Sequence, residues 1–178
     1  MSSLSLIFVW LDKRVGNLPG SNEHLKSRFR KLLNPIRQFD RPTACFDHIE
    51  LSLKDKRVIF LTSDAFADEE LLIKLAALSH VCHLYVYDQH GRNYRMSDEY
   101  LREKMNWLRV IQFDEHLYEQ MIRDLLDIAE KEIDRLGKGR DAQDVVEFAR
   151  KLLGTVEDKD EDFRAMELNW TMRANQLK

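Results

Sequence analysis

Aspartates that directly follow apolar runs are the residues of this chain best placed to do chemistry. Four such runs, SLIFVWLD, RVIFLTSD, HLYVYD and RVIQFD, end at Asp12, Asp64, Asp88 and Asp114, and Asp47 follows a weaker one. Clustered carboxylates can hold Mg²⁺ or serve as a general acid and a general base. Aspartate is also common where a helix follows a strand, because its carboxylate accepts hydrogen bonds from free backbone amides. The pattern predicts where a site would lie, and we favour helix capping as the role of the acids.

Two hydroxyl side chains, Thr62 and Ser63, stand next to Asp64 at the end of the cleanest apolar run. Hydroxyls and backbone amides at the start of a helix can bind an anion. The nucleotide-binding patterns G-x-G-x-x-G and G-x-x-x-x-G-K-[ST] do not occur in the chain. A capping and turn role is therefore the favoured interpretation. As the alternative, a ligand site would comprise Asp12, Thr62, Ser63, Asp64 and Asp88.

The cysteines and histidines give weak signals for catalysis or metal binding. Cys45 lies near His48, a spacing that could form a thiolate pair, but a small buried thiol is the commoner role. His80, Cys82 and His83 are close in sequence, yet strand alternation would turn Cys82 and His83 to opposite faces. The chain contains neither C-x-x-C nor H-E-x-x-H. We predict no metal site and no catalytic residue.

The elements that would position these residues alternate between strand-like and helix-like periods. We predict strands at Leu4–Leu11, Lys56–Thr62, His83–Tyr87 and Arg109–Phe113, and a short one at Pro42–Phe46. The order predicts an α/β fold with a doubly wound five-stranded parallel sheet in the flavodoxin-like order 2-1-3-4-5. Because ligands bind at the carboxyl ends of strands in such sheets, the aspartates would share that edge.

The helices predicted between the strands have recognisable boundaries. One starts near Glu23 and is ended or kinked by Pro35, and His48–Leu53 is at least one helical turn. A helix capped within Asp64–Asp68 follows the strongest strand, and another runs from Ser97 to Trp107. A long helix starts at Glu115 and stops at the glycines 137 and 139.

After Gly139 the sequence predicts two further amphipathic helices separated by an acidic run. We therefore divide the chain into an α/β domain, residues 1–139, and a helical appendage, residues 140–178. The apolar face of the appendage must pack on the sheet domain, on a second copy or on a partner. The residues predicted for such an interaction are Phe148, Leu152, Phe163, Met166 and Trp170.

Composition narrows the partners and the compartment that we expect. The chain has 178 residues, of which 44% are hydrophobic and 33% charged, and its formal net charge is -3. This near-neutral balance does not favour wholesale binding to nucleic acid or to an acidic membrane. The run Leu4–Leu11 is too short to span a bilayer, and it lacks the flanks of a signal peptide. We expect a cytoplasmic protein with two reduced thiols.

Five segments together resemble a known but poorly characterised module. They are IFVWLD (7–12), LKSRFRKLL (25–33), FDRPTACFDHI (39–49), RVIFLTSD (57–64) and HLYVYD (83–88). The set is similar to the receiver-like N-terminal module of invertebrate multidomain proteins, notably in rotifers, where it precedes tetratricopeptide repeats or an arginine ADP-ribosyltransferase domain. The resemblance covers residues 5–125. It implies a regulatory or interaction module, and it assigns no catalytic residue.

The residues and the resemblance together lead to one function and an alternative. The leading prediction is a non-catalytic, receiver-like regulatory module that mediates protein–protein contact or self-association, with a homodimer formed through the C-terminal helices. Receiver domains carry a second acid after the first strand and a lysine after the fifth, and this chain has neither at those places. The alternative is a ligand-sensing domain or an Mg²⁺-dependent enzyme with its site at the strand ends.

Overall fold

The structure is a computed structural model that describes residues 4–13, 27, 30–32, 35–88, 108–111 and 114–177; of residues 108, 114 and 115 it describes the backbone alone. These residues form two compact units. Residues 6–117 make up the sheet unit, and residues 118–177 together with Leu4 and Ser5 make up the helical unit.

Five parallel strands form the sheet unit. They are β1 (Leu6–Leu11), β2 (Ile36–Phe39), β3 (Arg57–Ser63), β4 (Val81–Tyr87) and β5 (Leu108–Ile111), and their order across the sheet is β2-β1-β3-β4-β5. This arrangement confirms the predicted α/β fold, the parallel pairing and the flavodoxin-like strand order. The runs that gave β1, β3 and β4 are mostly apolar because the central residues of these strands are buried on both faces of the sheet.

Alternate residues of the central strands build the core on one face of the sheet. This face, here called the core face, packs against helices α1 (Pro42–Ser52) and α2 (Glu69–Ala76). Its strand residues are Val9, Leu11, Val58, Phe60, Leu84 and Val86. The residues between them point to the opposite face and are also buried: Phe8, Trp10, Ile59, Leu61, Tyr85 and Tyr87.

The prediction of a strand at Pro42–Phe46 is wrong, because helix α1 begins at Pro42. Proline suits the first turn of a helix, where its missing N–H would have no intrahelical partner. Cys45 and Ile49 are four residues apart and share the buried face of the helix. The second strand is instead the segment IRQF directly after Pro35, so the helix predicted before it has ended there.

Other boundaries lie close to the predictions. β4 starts two residues earlier than predicted, at Val81, with an irregular register where β3 passes from Val58 to Ile59. Of the helix predicted from Glu23, residues 27 and 30–32 are helical; the rest of it and the helix predicted at 97–107 lie outside the described residues. The long helix α3 (Asp114–Leu136) ends where predicted, because Gly137 takes a left-handed backbone with φ of 69°.

The C-terminal helical region is confirmed as two helices, α4 (Arg140–Leu153) and α5 (Glu161–Gln176), which join residues 118–136 of α3 in the helical unit. Two arginines form ion pairs between α5 and α3. Arg123 of α3 lies 3.2 Å from Asp160 at the start of α5, and Arg173 of α5 lies 2.5 Å from Glu130 of α3. The predicted domain boundary at Gly139 stays a prediction.

Candidate functional site

Asp12, Asp64 and Asp88 directly follow three neighbouring strands, β1, β3 and β4. Each aspartate amide donates a hydrogen bond of 3.0 Å to the strand beside it: Asp12 to Phe39, Asp64 to Tyr87 and Asp88 to Ile111. The ladder therefore continues through the aspartates, which form the last rung at the carboxyl end of the sheet. We call these three residues the aspartate edge.

Of the two further predicted acids, Asp47 lies away from the aspartate edge, and the side chain of Asp114 is outside the described residues. Helix α3 begins at Asp114, whose side chain lies outside the described residues. Asp47 is exposed on helix α1, away from any strand end. The cap of α2 is Asp68, whose carboxylate accepts a hydrogen bond from the amide of Glu70. Asp64 instead opens the turn between β3 and α2.

Strand alternation divides the predicted ligand set between the two faces of the sheet. Because the ladder continues through the aspartates, Asp88 falls on the core face with Val86, and Asp64 falls there with Thr62. Asp12 follows Leu11 and lies with Ser63 on the opposite face. The three residues Thr62, Asp64 and Asp88 can therefore meet one ligand on the core face, whereas Asp12 and Ser63 face away from them.

Asp88 is the unusual member of the set. Its exposed fraction is 0%, and neither carboxylate oxygen has a hydrogen-bond partner among the described residues. Removing an ionised carboxylate from water without a partner costs several kcal/mol. The carboxylate of Asp88 accepts no hydrogen bond from any described helix. The described residues therefore give no support to a capping role for Asp88.

The other buried acids of the described chain have partners, which sets Asp88 apart. Asp124 accepts a hydrogen bond of 3.0 Å from the amide of Gln120, one turn earlier on α3. Glu132 pairs with Arg135 on the same helix. Buried polar groups in proteins are nearly always satisfied in this way. Among the buried acids of the described chain, Asp88 alone has a carboxylate without a hydrogen-bond partner, although buried polar atoms of Trp10, His48 and Ser63 lack one as well.

The described surroundings of the hydroxyl pair do not favour an anion, the ligand type considered as an alternative to capping. Thr62 is fully buried, and its Oγ1 donates a long hydrogen bond of 3.3 Å to the carbonyl of Ser63. Helix α2 starts at Glu69, five residues beyond Asp64, and its first turn carries Glu69 and Glu70. Two acids at a helix start oppose an incoming anion. The charge around these residues favours a cation.

Burial lowers the reactivity expected of the two thiols. Burial raises the pKa of the Cys45 thiol to about 12, so it is not a thiolate at neutral pH and the proposed pair with His48 is disfavoured. The His48 ring lies 5.2 Å from the Phe39 ring instead. Burial also raises the pKa of Cys82. Within the described ranges no group of three or more His, Cys, Asp or Glu side chains could hold a metal ion.

The raised pKa of Cys45 predicts a loss of stability in alkali. The thiol has a pKa near 9.0 when unfolded and about 12 when folded, so the folded chain keeps its proton longer. Stabilisation is complete below the unfolded pKa and is lost as the pH rises towards the folded pKa, by an amount on the order of 4 kcal/mol in full. Urea unfolding between about pH 8 and pH 11 should show a smaller decline for Cys45→Ala than for the wild type. Equal declines would contradict the assignment.

Three of the five predicted interaction residues are buried side chains of the helical unit. Leu152, Phe163 and Trp170 are buried, and the guanidinium of Arg123 stacks 4.3 Å from the centre of the Phe163 ring. Phe148 and Met166 are half-buried. The large apolar side chains exposed on α5 are Leu168 and Met172, 64% and 54% exposed. Leu168 and Met172 are one helical turn apart, so the sequence alone indicates that they share one face of α5. The opposite face carries the aromatic residues Phe163 and Trp170, whose stronger apolar pattern hides this weaker one.

Comparison with family models, curated proteins and solved structures found no match to this chain. The resemblance to a receiver-like module of invertebrate multidomain proteins therefore stays a prediction. None of the described helices combines the length and the apolar character needed to cross a membrane.

Proposed function

We propose that the sheet unit is a non-catalytic, receiver-like regulatory module that senses a ligand at the core-face side of the aspartate edge. The observation that carries the proposal is the buried carboxylate of Asp88, which has no described partner. Proteins retain costly buried charges mainly where a function uses them. The location supports the same conclusion, because open parallel sheets bind ligands at the carboxyl ends of their strands.

Sensing is supported over catalysis by the way the reactive groups are placed. Strand alternation leaves Asp12 on the opposite face from Asp64 and Asp88, so the carboxylates predicted for an Mg²⁺-dependent enzyme do not all reach one substrate. The buried thiol of Cys45 is held protonated, which makes it a poor nucleophile. A binding role needs only the complementarity that Asp64, Thr62 and Asp88 can offer on one face.

The test is a ligand panel read by thermal unfolding. Organic cations, Mg²⁺, nucleotides and sugar phosphates are added one at a time to the wild type, to Asp88→Asn and to Asp55→Asn. Asp55 is an exposed acid in the turn before β3, at the amino end of the sheet, and serves as the matched control. We expect at least one cationic ligand to raise the melting temperature in proportion to the logarithm of its concentration. The rise should survive Asp55→Asn and disappear in Asp88→Asn; a panel without any such ligand contradicts the proposal.

The second candidate function is self-association through α5, for which the exposed apolar pair Leu168 and Met172 is the specific support. Both side chains lie opposite Phe163 and Trp170, so they are free to pack without opening the helical unit. A second copy would present the same pair and would cover it symmetrically.

Self-association predicts that the double change Leu168→Asp and Met172→Asp shifts the protein to a monomer. Light scattering coupled to size-exclusion chromatography measures the mass at several concentrations. The control is Glu161→Gln, an exposed change in the first turn of the same helix. A wild type that is monomeric at every concentration, or a dimer that survives the double change, would contradict self-association through α5.

A further inference from the structure

The geometry points to a guanidinium group as the part of the ligand that binds Asp88. The inference rests on the proposed function and names the chemistry of the same site. Both oxygens of the Asp88 carboxylate lack a described donor, and neither is exposed to solvent. A guanidinium supplies two parallel N–H donors and a positive charge together, and it pairs with a carboxylate through both oxygens at once.

Burial favours this cation over its competitors. A guanidinium is more weakly hydrated than an ammonium, so it loses less when it leaves water for a carboxylate with an exposed fraction of 0%. Mg²⁺ gives up its water reluctantly and requires near-octahedral oxygen ligands. The described residues contain no group of three carboxylates, imidazoles or thiols that would replace that water.

The neighbours of Asp88 on the core face suit the remaining donors of a guanidinium. Asp64 directly follows the adjacent strand β3, one residue beyond the paired residues Ser63 and Tyr87, and adds a second negative charge. The Thr62 hydroxyl, also on this face, is fully buried and can accept a hydrogen bond through its oxygen. A guanidinium has five N–H donors, so two can engage Asp88 while others engage these two residues.

Nothing nearby among the described residues neutralises Asp88 in place of a ligand. Lys13 follows Asp12, but its ammonium lies over the Phe66 ring, 5.6 Å from the ring centre. No described ion pair includes Asp88. The described part of the chain sets no positive charge against Asp88, and in the proposed complex the ligand supplies it, either as a free small molecule or as an arginine side chain of another protein.

The test is isothermal titration calorimetry of the full chain with four probes. Agmatine presents a guanidinium on a small molecule, a capped Gly-Arg-Gly peptide presents it as a protein would, and the same capped peptide with citrulline in place of arginine replaces it by a neutral urea of the same shape. Methylammonium presents an ammonium instead. We expect agmatine or the arginine peptide to bind and the citrulline peptide and methylammonium not to bind. Preference for agmatine or for the arginine peptide identifies the source of the guanidinium.

Variants separate the role of Asp88 from a general charge effect. Asp88→Asn should weaken guanidinium binding about 10- to 100-fold, the range of a lost charged hydrogen bond, whereas Asp55→Asn should leave it unchanged. Asparagine keeps the shape of the side chain, and circular dichroism checks that the variant is folded. Equal binding of the citrulline peptide and agmatine, or no guanidinium binding at all, overturns the inference. If another cation binds in an Asp88-dependent way, the inference fails and the proposed function stands.

Discussion

Replacing Asp88 by asparagine is expected to raise the free energy of unfolding of the ligand-free protein by about 1–3 kcal/mol. The wild-type carboxylate is buried, and neither oxygen is bonded to a described residue. An ionised side chain therefore has a desolvation cost that no hydrogen bond from the described residues offsets. Asparagine occupies the same space and removes the charge, although its amide still lacks partners and retains a smaller cost. Urea unfolding near neutral pH, followed by circular dichroism, measures the difference.

The control for this prediction is Asp55→Asn, which removes the same charge from an exposed turn at the other end of the sheet. An exposed substitution of this kind is expected to change stability by no more than about 0.5 kcal/mol. If Asp88→Asn destabilises the protein instead, the carboxylate makes a favourable contact inside the fold and has no need of a ligand. A gain in stability combined with a loss of ligand binding is the usual sign of a residue kept for function.

Replacing Trp170 by alanine is expected to lower the free energy of unfolding of the helical unit by about 3–5 kcal/mol. The indole is 4% exposed on α5, and the guanidinium of Arg173 lies 5.5 Å from the centre of its ring. Truncation removes a large buried apolar surface and the cation–π contact together. The loss of helical circular dichroism with urea measures the change.

Leu168→Ala is the matched control, because Leu168 lies two residues earlier on the same helix and is largely exposed. Alanine is a good helix former, so we expect a change within about 0.5 kcal/mol. Comparable losses for the two variants would show that Trp170 is not a core residue. Such a result would support the prediction that Trp170 belongs to an interaction surface.

The central strands could be predicted from the sequence because burial on both faces leaves a continuous apolar signature. β2 could not be predicted in the same way. Its sequence IRQF carries two polar side chains, Arg37 and Gln38, that are exposed at the edge of the sheet. The segment that starts at Pro42 is more apolar than IRQF, and its composition therefore favours a strand. Its apolar residues Cys45 and Ile49 nevertheless have helical spacing.

The position of the candidate site could be predicted from the sequence, but the burial of its individual side chains could not. An aspartate at the end of an apolar run marks a strand end, which places Asp12, Asp64 and Asp88 at one edge. Which of them is buried depends on the elements that cover each strand, and the local sequence does not contain that information. The same limit applies to the C-terminal helices, where Trp170 and Leu168 differ in exposure only because α5 turns one side towards the rest of the helical unit.

The two outer strands of the sheet are poorly suited to pair with a strand of another copy. β2 and β5 are four residues long, and β2 carries an exposed arginine, Arg37. Short outer strands with charged side chains are poor templates for another strand, since they offer few free backbone groups and repel like charges. The fold therefore carries a built-in protection against amyloid-like sheet extension, and assembly of this protein is expected to use helices.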